Sequence, residues 1–137
     1  MTRQLWINLP VKNVSNSKGF FTQLGFRLNT EHGNTDQSAC LLIGEKNTVV
    51  MLFDEATFKG FTNNEIATHG KEVLLSIDAE SKEEVDDLVQ KAVEAGGSSN
   101  HQPANMTGWM YGAVFTDIDG HLWNVLYMDM SKMPGAQ

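Results

Sequence analysis

The stretch that decides the fold occurs twice in the chain, as INLPVKNVS at residues 7–15 and as VLLSIDAES at residues 73–81. The two copies align without a gap, and in each a short apolar segment leads into a serine that can start a helix. The helices that follow both end at glycine, at Gly25 and at Gly96–Gly97. A period of about half the chain indicates two copies of one supersecondary unit, and two such units facing each other would form a cleft.

Each copy is predicted to form a strand, a helix and up to three further strands. Module one, about residues 4–61, has strand patterns at 5–11, 27–31, 38–43 and 48–53. Module two, about residues 71–130, has them at 72–77, 109–116 and 122–128, with a short strand near 99–102. The fold class is therefore α+β: one domain, 1–137, whose two β-α-β-β-β modules form a curved, largely antiparallel sheet around a cleft.

The helices are predicted from their first residues and their apolar spacing. Ser15 or Ser17 can cap the first helix, and Ser81–Glu84 is a capping box in front of the second. Residues 54–70 are predicted to be a linker with at most a half-turn at 56–58. The helices should cover one face of the sheet.

Charge and cysteine content exclude several classes of partner. A net charge of −7 argues against nucleic acid and anionic membranes, and no apolar run approaches the length of a membrane span. Cys40 is the only cysteine, so an internal disulfide is impossible and a cytoplasmic location is expected. Cys40 lies in an apolar run, which predicts a buried, inert thiol.

The segment FTDIDGHLWNV at residues 115–125 resembles the F-x-D-x-D-G-H-x-W-E-V ending of the vicinal oxygen chelate superfamily. That superfamily holds glyoxalase I, bleomycin-resistance proteins, fosfomycin-resistance enzymes and extradiol dioxygenases. NLPVKNV at residues 8–14, SKGFF at 17–21 and LGF at 24–26 are similar to the family's opening. The resemblance covers nearly the whole chain. It implies paired modules around a U-shaped pocket and a homodimer, with the pocket either within one chain or shared by module swapping.

The resemblance also implies four metal-ligand positions, which catalytic members fill with His and Glu around a divalent Lewis acid. In this chain they fall at Trp6, Met51, Glu72 and Asn124. Trp is no ligand, the Met thioether is soft, and Asn offers one weak oxygen, so only Glu72 is an ordinary ligand. We therefore expect no metal and no other cofactor, the alternative being a divalent metal at Glu72. The histidines His32, His69, His101 and His121 do not suggest a better set.

Strand alternation gives the predicted ligand pocket. It is lined by Trp6, Asn8, Met51, Glu72, Ser76 and Asn124, with Trp109 or Tyr111 nearby. Such an apolar, aromatic cup with a few amides and one carboxylate suits a small, partly apolar ligand, including a cationic one. The competing interpretation is that these side chains only fill the core between two sheets.

We therefore predict a small-molecule-binding protein of the glyoxalase/bleomycin-resistance type that acts by sequestration or as a cytoplasmic sensor. One alternative is an enzyme, either a divergent metal-dependent lyase, isomerase or dioxygenase of the superfamily, or a metal-free enzyme with Glu72 as its catalytic base. Another is a purely structural dimerisation module. The sequence does not name the ligand.

Overall fold

The computed structural model describes residues 1–68, 72–99, 104–106 and 108–133. The chain forms two compact units, Met1–His69 (unit 1) and Gly70–Gln137 (unit 2). Unit 1 contains β1 (Ile7–Val11), α1 (Val14–Gln23), β2 (Arg27–Leu28), β3 (Ser38–Ile43), β4 (Thr48–Asp54) and α2 (Glu55–Thr62). Unit 2 contains β5 (Leu74–Ala79), α3 (Lys82–Glu94), β6 (Ala104–Met106), β7 (Met110–Thr116), β8 (Leu122–Met128) and a 3-10 turn (Met130–Lys132).

Each unit has one four-stranded sheet, and the two sheets have the same topology. The strand order is β1-β4-β3-β2 in unit 1 and β5-β8-β7-β6 in unit 2. In each sheet the first pair is parallel and the other two pairs are antiparallel. The predicted α+β class with two equivalent modules is confirmed. Among the helices in the described ranges, none is both long enough and apolar enough to span a bilayer.

In unit 1 the core lies between α1 and one face of the sheet. Leu41 is the register partner of Val50, and Ala39 is the partner of Leu52, so these four side chains share a face. All four are almost completely buried, as are Phe20 and Phe21 of α1. The opposite sheet face, which we call the far face of unit 1, carries Asn8, Pro10, Cys40, Val49, Met51 and Phe53.

Unit 2 is built in the same way around α3. Phe115 pairs with Trp123, and Ile77 pairs with Val125, on the face that α3 covers with Val85, Val89 and Ala92. The rings of Phe115 and Trp123 are nearly parallel, with centroids 6.3 Å apart. The opposite face, the far face of unit 2, carries Leu74, Ser76, Asp78, Val114, Leu122, Asn124 and Leu126.

One helix start is predicted correctly and one is not. Ser81 caps α3, because its hydroxyl accepts the Glu84 amide at 3.0 Å, while the Glu84 carboxylate reaches back to the amide of Glu80 at 3.3 Å. The cap of α1 is Asn13, whose side chain accepts the Asn16 amide at 2.9 Å. The prediction of Ser15 or Ser17 was wrong because Asn13 caps earlier, and Ser17 is buried inside the helix.

The predicted linker at 54–70 contains a helix, α2. Asp54 caps it by accepting the Thr57 amide at 2.8 Å, and its hydrogen bonds with Thr57 lower the pKa of the Asp54 carboxyl. None of its residues is fully buried. It contacts β1 and β4, where the rings of Phe53 and Phe61 meet edge to face with centroids 5.0 Å apart. The half-turn prediction was therefore too short.

Several strand boundaries also differ from the prediction. β1 begins at Ile7 and β5 at Leu74, so Trp6 and Glu72 precede their strands. β2 has only two residues: the Asn29 amide still donates to the Cys40 carbonyl at 2.9 Å, but the Asn29 side chain then accepts the amides of Glu31 and His32 in a turn. The short strand expected near 99–102 is found at Ala104–Met106; residues 100–103 lie outside the described part of the chain.

Candidate functional site

The far face of unit 1 brings two of the predicted pocket residues together. Asn8 and Met51 are register partners in the parallel pair β1–β4, and Cys40 is the partner of Met51 on β3. Asn8 is exposed, Met51 is half-buried and the Cys40 thiol is buried and free. A Cβ built on Gly33 would lie 3.4 Å from the Met51 methyl and 2.7 Å from the Cys40 Cβ, so the loop before β3 packs closely on this face. Met51 is therefore a packing residue with one accessible side.

Trp6 and Glu72 occupy equivalent positions just in front of β1 and β5. Over half of the Trp6 side chain is exposed, at 55%, and Glu72 is exposed as well. Because each precedes its strand, the alternation rule that assigned their directions does not apply to them. They remain candidate ligand-contacting residues on accessibility alone.

The far face of unit 2 carries a polar pair at its centre. Ser76 and Asn124 are register partners, and the Asn124 amide nitrogen donates a hydrogen bond to the Ser76 hydroxyl at 3.1 Å. Their neighbours on this face include Leu122, Val114 and Leu126, all of which are partly accessible. A hydrogen-bonding pair in the middle of an apolar, accessible surface is the arrangement that small-molecule sites use to orient a ligand.

Tyr111 lies on the opposite face from Asn124. On β7 the partner of Asn124 is Val114, and Tyr111 is an odd number of residues away, so it points towards α3. Its hydroxyl donates to the Asp86 carboxylate at 2.6 Å, and this hydrogen bond raises the pKa of Tyr111. The structure thus separates Tyr111 from the Ser76–Asn124 pair, which the alternation along β7 could already have indicated.

Trp109 and Tyr111 instead line a cavity of about 300 Å³ within unit 2. The sequence prediction missed the other charged, amide and aromatic residues of its wall, which are Lys82, Glu83, Asn105, Tyr127, Asp129 and Lys132. Tyr127 was foreseeable, because it alternates with Asn124 along β8 and is the register partner of Tyr111. Lys82 begins α3, and Asp129 and Lys132 lie at the 3-10 turn. Sequence periodicity does not predict the directions of side chains at such positions.

The segment at 115–125 is held by a buried carboxylate. Asp117 accepts the amides of Asp119 at 2.9 Å and His121 at 3.0 Å, and its second oxygen accepts the Trp123 indole N–H at 3.0 Å. Burial raises the pKa of Asp117, against the opposing effects of His121 and these hydrogen bonds. The segment that resembles the family's ending therefore stabilises the β7–β8 hairpin. Asn124, the residue after Trp123 on β8, lies on the far face of unit 2.

The four positions implied for metal ligands do not form a suitable donor set. Met51 is packed beneath Gly33, Asn124 is hydrogen-bonded to Ser76, and Trp6 has no donor atom for a metal. Within the described ranges, no three His, Cys, Asp or Glu side chains come together. His69 and His101 lie outside those ranges.

Comparison with known proteins agrees with this architecture. Residues 3–125 match the sequence profile of the Glyoxalase/Bleomycin resistance protein/Dioxygenase superfamily. A hypothetical protein from S. aureus is 35% identical, with a TM-score of 0.83 over 93% of this chain and 95% of its own. No curated protein matches the chain.

Two more distant structures share the fold. A glyoxalase-related enzyme from Fulvimarina pelagi is 16% identical, with a TM-score of 0.79 over 92% of this chain and 88% of its own. The fosfomycin resistance protein FosX from Listeria monocytogenes is 15% identical, with a TM-score of 0.68 over 93% of each chain. At these identities the similarity concerns the fold alone.

Proposed function

Because the chain belongs to the Glyoxalase/Bleomycin resistance protein/Dioxygenase superfamily, we propose that it is a small-molecule-binding protein that holds its ligand without the metal site of the family's catalytic members. We place it in the cytoplasm, since its single cysteine is a buried free thiol. Sequestration or sensing of the ligand would be its role.

The observation that carries this proposal is the Ser76–Asn124 pair. Among the described residues, the bond to Ser76 is the one hydrogen bond of the Asn124 side chain, which leaves its second N–H and its carbonyl oxygen for a ligand. The surrounding leucines supply apolar contact. A ligand with an amide-like or hydroxyl group beside an apolar body fits this surface.

Unit 1 offers a separate, less polar surface of its own. Asn8 is an exposed amide next to the accessible side of Met51, and the exposed indole of Trp6 precedes the same strand. Thioether and aromatic side chains adapt to apolar ligands of varied shape. These residues favour recognition of an apolar ligand, and one amide oxygen beside a soft thioether is a poor donor set for a divalent metal.

A thermal-shift screen against divalent metals and small amphiphiles tests the proposal. A ligand present at 100 times its Kd should add about 2.7 kcal/mol to the free energy of unfolding. For a compound that raises the melting temperature, Asn124→Leu should weaken binding by about tenfold, the equivalent of one lost hydrogen bond. The matched control is Gln90→Leu, which removes an exposed amide on α3 that bonds only Glu94 among the described residues.

Substitutions of Glu72 distinguish a ligand-binding protein from a metal-dependent enzyme. Because Glu72 is exposed, Glu72→Gln should leave stability unchanged while it weakens binding of any ligand that uses the carboxylate. Protein purified without chelator should contain no stoichiometric metal by mass spectrometry. A bound zinc, nickel or manganese ion that is lost on Glu72→Ala would overturn the proposal and favour a metal-dependent lyase, isomerase or dioxygenase.

A further inference from the structure

The cavity in unit 2 lies on the α3 side of the sheet, away from the Ser76–Asn124 pair. Its wall includes Tyr111 and Tyr127, which are register partners on the face that packs against α3. Ser76 and Asn124 are register partners on the opposite face. The volume of about 300 Å³ is at the low end for ligand sites, which limits an occupant to about one ring and its substituents.

Three aromatic side chains give the cavity its flat walls. Trp109, Tyr111 and Tyr127 all line it, and each remains partly accessible. The backbone of Trp109 is tied to the residue after β8, because the Asp129 amide donates to the Trp109 carbonyl at 2.8 Å. Tyr111 is fixed by its hydrogen bond to Asp86. Aromatic walls held in this way favour a planar ligand over a bulky aliphatic one.

Two lysines in the wall of the cavity keep hydrogen-bond donors for a ligand. Lys82 Nζ lies 5.6 Å from the centroid of the Tyr111 ring and forms no ion pair within the described chain. Lys132 Nζ is 3.9 Å from Asp129 Oδ2, a long separation for a salt bridge. Each ammonium therefore has N–H donors to offer to a ligand.

The acidic groups of the wall are engaged elsewhere or exposed. Asp129 accepts the Ser131 hydroxyl at 2.6 Å and the Ser131 amide at 3.1 Å, and its hydrogen bond with this hydroxyl lowers its pKa. Glu83, at the other side, is exposed. The two lysines and two carboxylates of the wall balance in charge, so the wall does not attract a dianion, and a single negative charge is held by direct hydrogen bonds from the lysines.

We propose that this cavity is a second binding site, specific for a small aromatic carboxylate. The ring lies between Trp109 and Tyr127, and the carboxylate accepts hydrogen bonds from Lys82 and Lys132. This site is independent of the far-face site proposed above, because the two use opposite faces of the same sheet.

Benzoate is the probe, with benzamide as its uncharged counterpart and cyclohexanecarboxylate as its non-planar one. Amide and indole resonances of the isotope-labelled full chain are followed by NMR during each titration. We expect benzoate to shift Trp109 and Tyr127, and benzamide and cyclohexanecarboxylate to bind at least about tenfold more weakly. Absence of benzoate shifts at these residues, or equal binding of benzamide, would overturn the proposal.

Variants locate the site. Lys82→Gln should weaken benzoate binding by about tenfold and leave benzamide binding unchanged. Lys91→Gln is the matched control, since Lys91 lies on the same helix in an exposed pair with Asp87. Asn124→Leu should not affect benzoate binding. Benzoate binding that is lost in Asn124→Leu, or retained in full in Lys82→Gln, would contradict the assignment. Either result would leave the far-face proposal to be judged separately by its own screen.

Discussion

A single carboxylate, Asp117, fixes the turn between β7 and β8. Both of its oxygens accept hydrogen bonds, one from two backbone amides and the other from the Trp123 indole. In Asp117→Asn the amide group must place an N–H against one of these donors, whichever way it is oriented. We expect the free energy of unfolding to fall by about 1–3 kcal/mol, measured by urea denaturation. A variant as stable as the wild type would show that these hydrogen bonds contribute nothing to the free energy of unfolding.

The raised pKa of Asp117 gives a prediction about pH. A carboxyl whose pKa is higher in the folded state contributes stability that is fully present below the unfolded pKa and is lost as the pH rises through the folded pKa. The stability of the wild type relative to Asp117→Asn should therefore decrease as the pH rises above the ordinary carboxyl value of 3.8. Urea denaturation of both proteins across this range measures the difference, and a difference independent of pH would refute the assignment.

Single residues also show what the sequence could and could not predict about the site. Register partners such as Asn8–Met51 and Ser76–Asn124 follow from alternation once the strands are known. Tyr111 lies three residues from Val114 on β7, so the same alternation places it on the face opposite Asn124, against the prediction. Lys82 and Asp129 lie outside the strands, so only the folded structure brings them to the cavity.

At the level of elements, the repeated helix endings carry much of the fold information. In both α1 and α3 the amide three residues beyond the last helical residue donates back to a helix carbonyl, from Phe26 to Phe21 at 2.9 Å and from Gly97 to Ala92 at 2.8 Å. The residue before each of these amides is a glycine with a positive φ, Gly25 at 92° and Gly96 at 107°. These stops were predictable because only glycine adopts this conformation without strain.

Alanine at these two stops should be destabilising to different extents. Either substitution places a side chain in the left-handed region, at a cost of about 1–2 kcal/mol. Gly96→Ala should cost more than Gly25→Ala, because its Cβ would lie 3.3 Å from the Ile118 side chain while nothing lies within 4 Å at Gly25. Urea denaturation gives the ranking. Gly19→Ala, in the interior of α1 with open space around it, is the control and should not destabilise.

The helix α2 shows why an element was missed. Its sequence EATFKGFT contains no apolar face that becomes buried, and its start depends on the Asp54 cap. Its position is set by tertiary contact between Phe61 and Phe53 of the preceding strand. Periodicity detects helices that bury one face, so it does not predict a short helix that contacts β1 and β4 without burying any residue completely.

At the scale of the whole molecule, both units leave large apolar side chains accessible to solvent. Trp6 in unit 1 is 55% exposed, and Leu74 and Met128 in unit 2 are 49% and 37% exposed. Each sheet also ends in edge strands, β1 and β2 in one unit and β5 and β6 in the other. Exposed apolar surface and sheet edges favour association, and a symmetric dimer is its commonest form.

We therefore predict that the protein is a homodimer at micromolar concentration, measured by sedimentation equilibrium against the 15.2 kDa chain. Leu74→Glu should shift it towards the monomer, because Leu74 begins the edge strand β5 and a charge there opposes burial of that sheet edge. Val93→Glu is the matched control: Val93 is also 49% exposed but lies on α3, so the dimer should persist. A monomeric wild type, or dissociation caused equally by both substitutions, would contradict the β5 edge as the dimer surface.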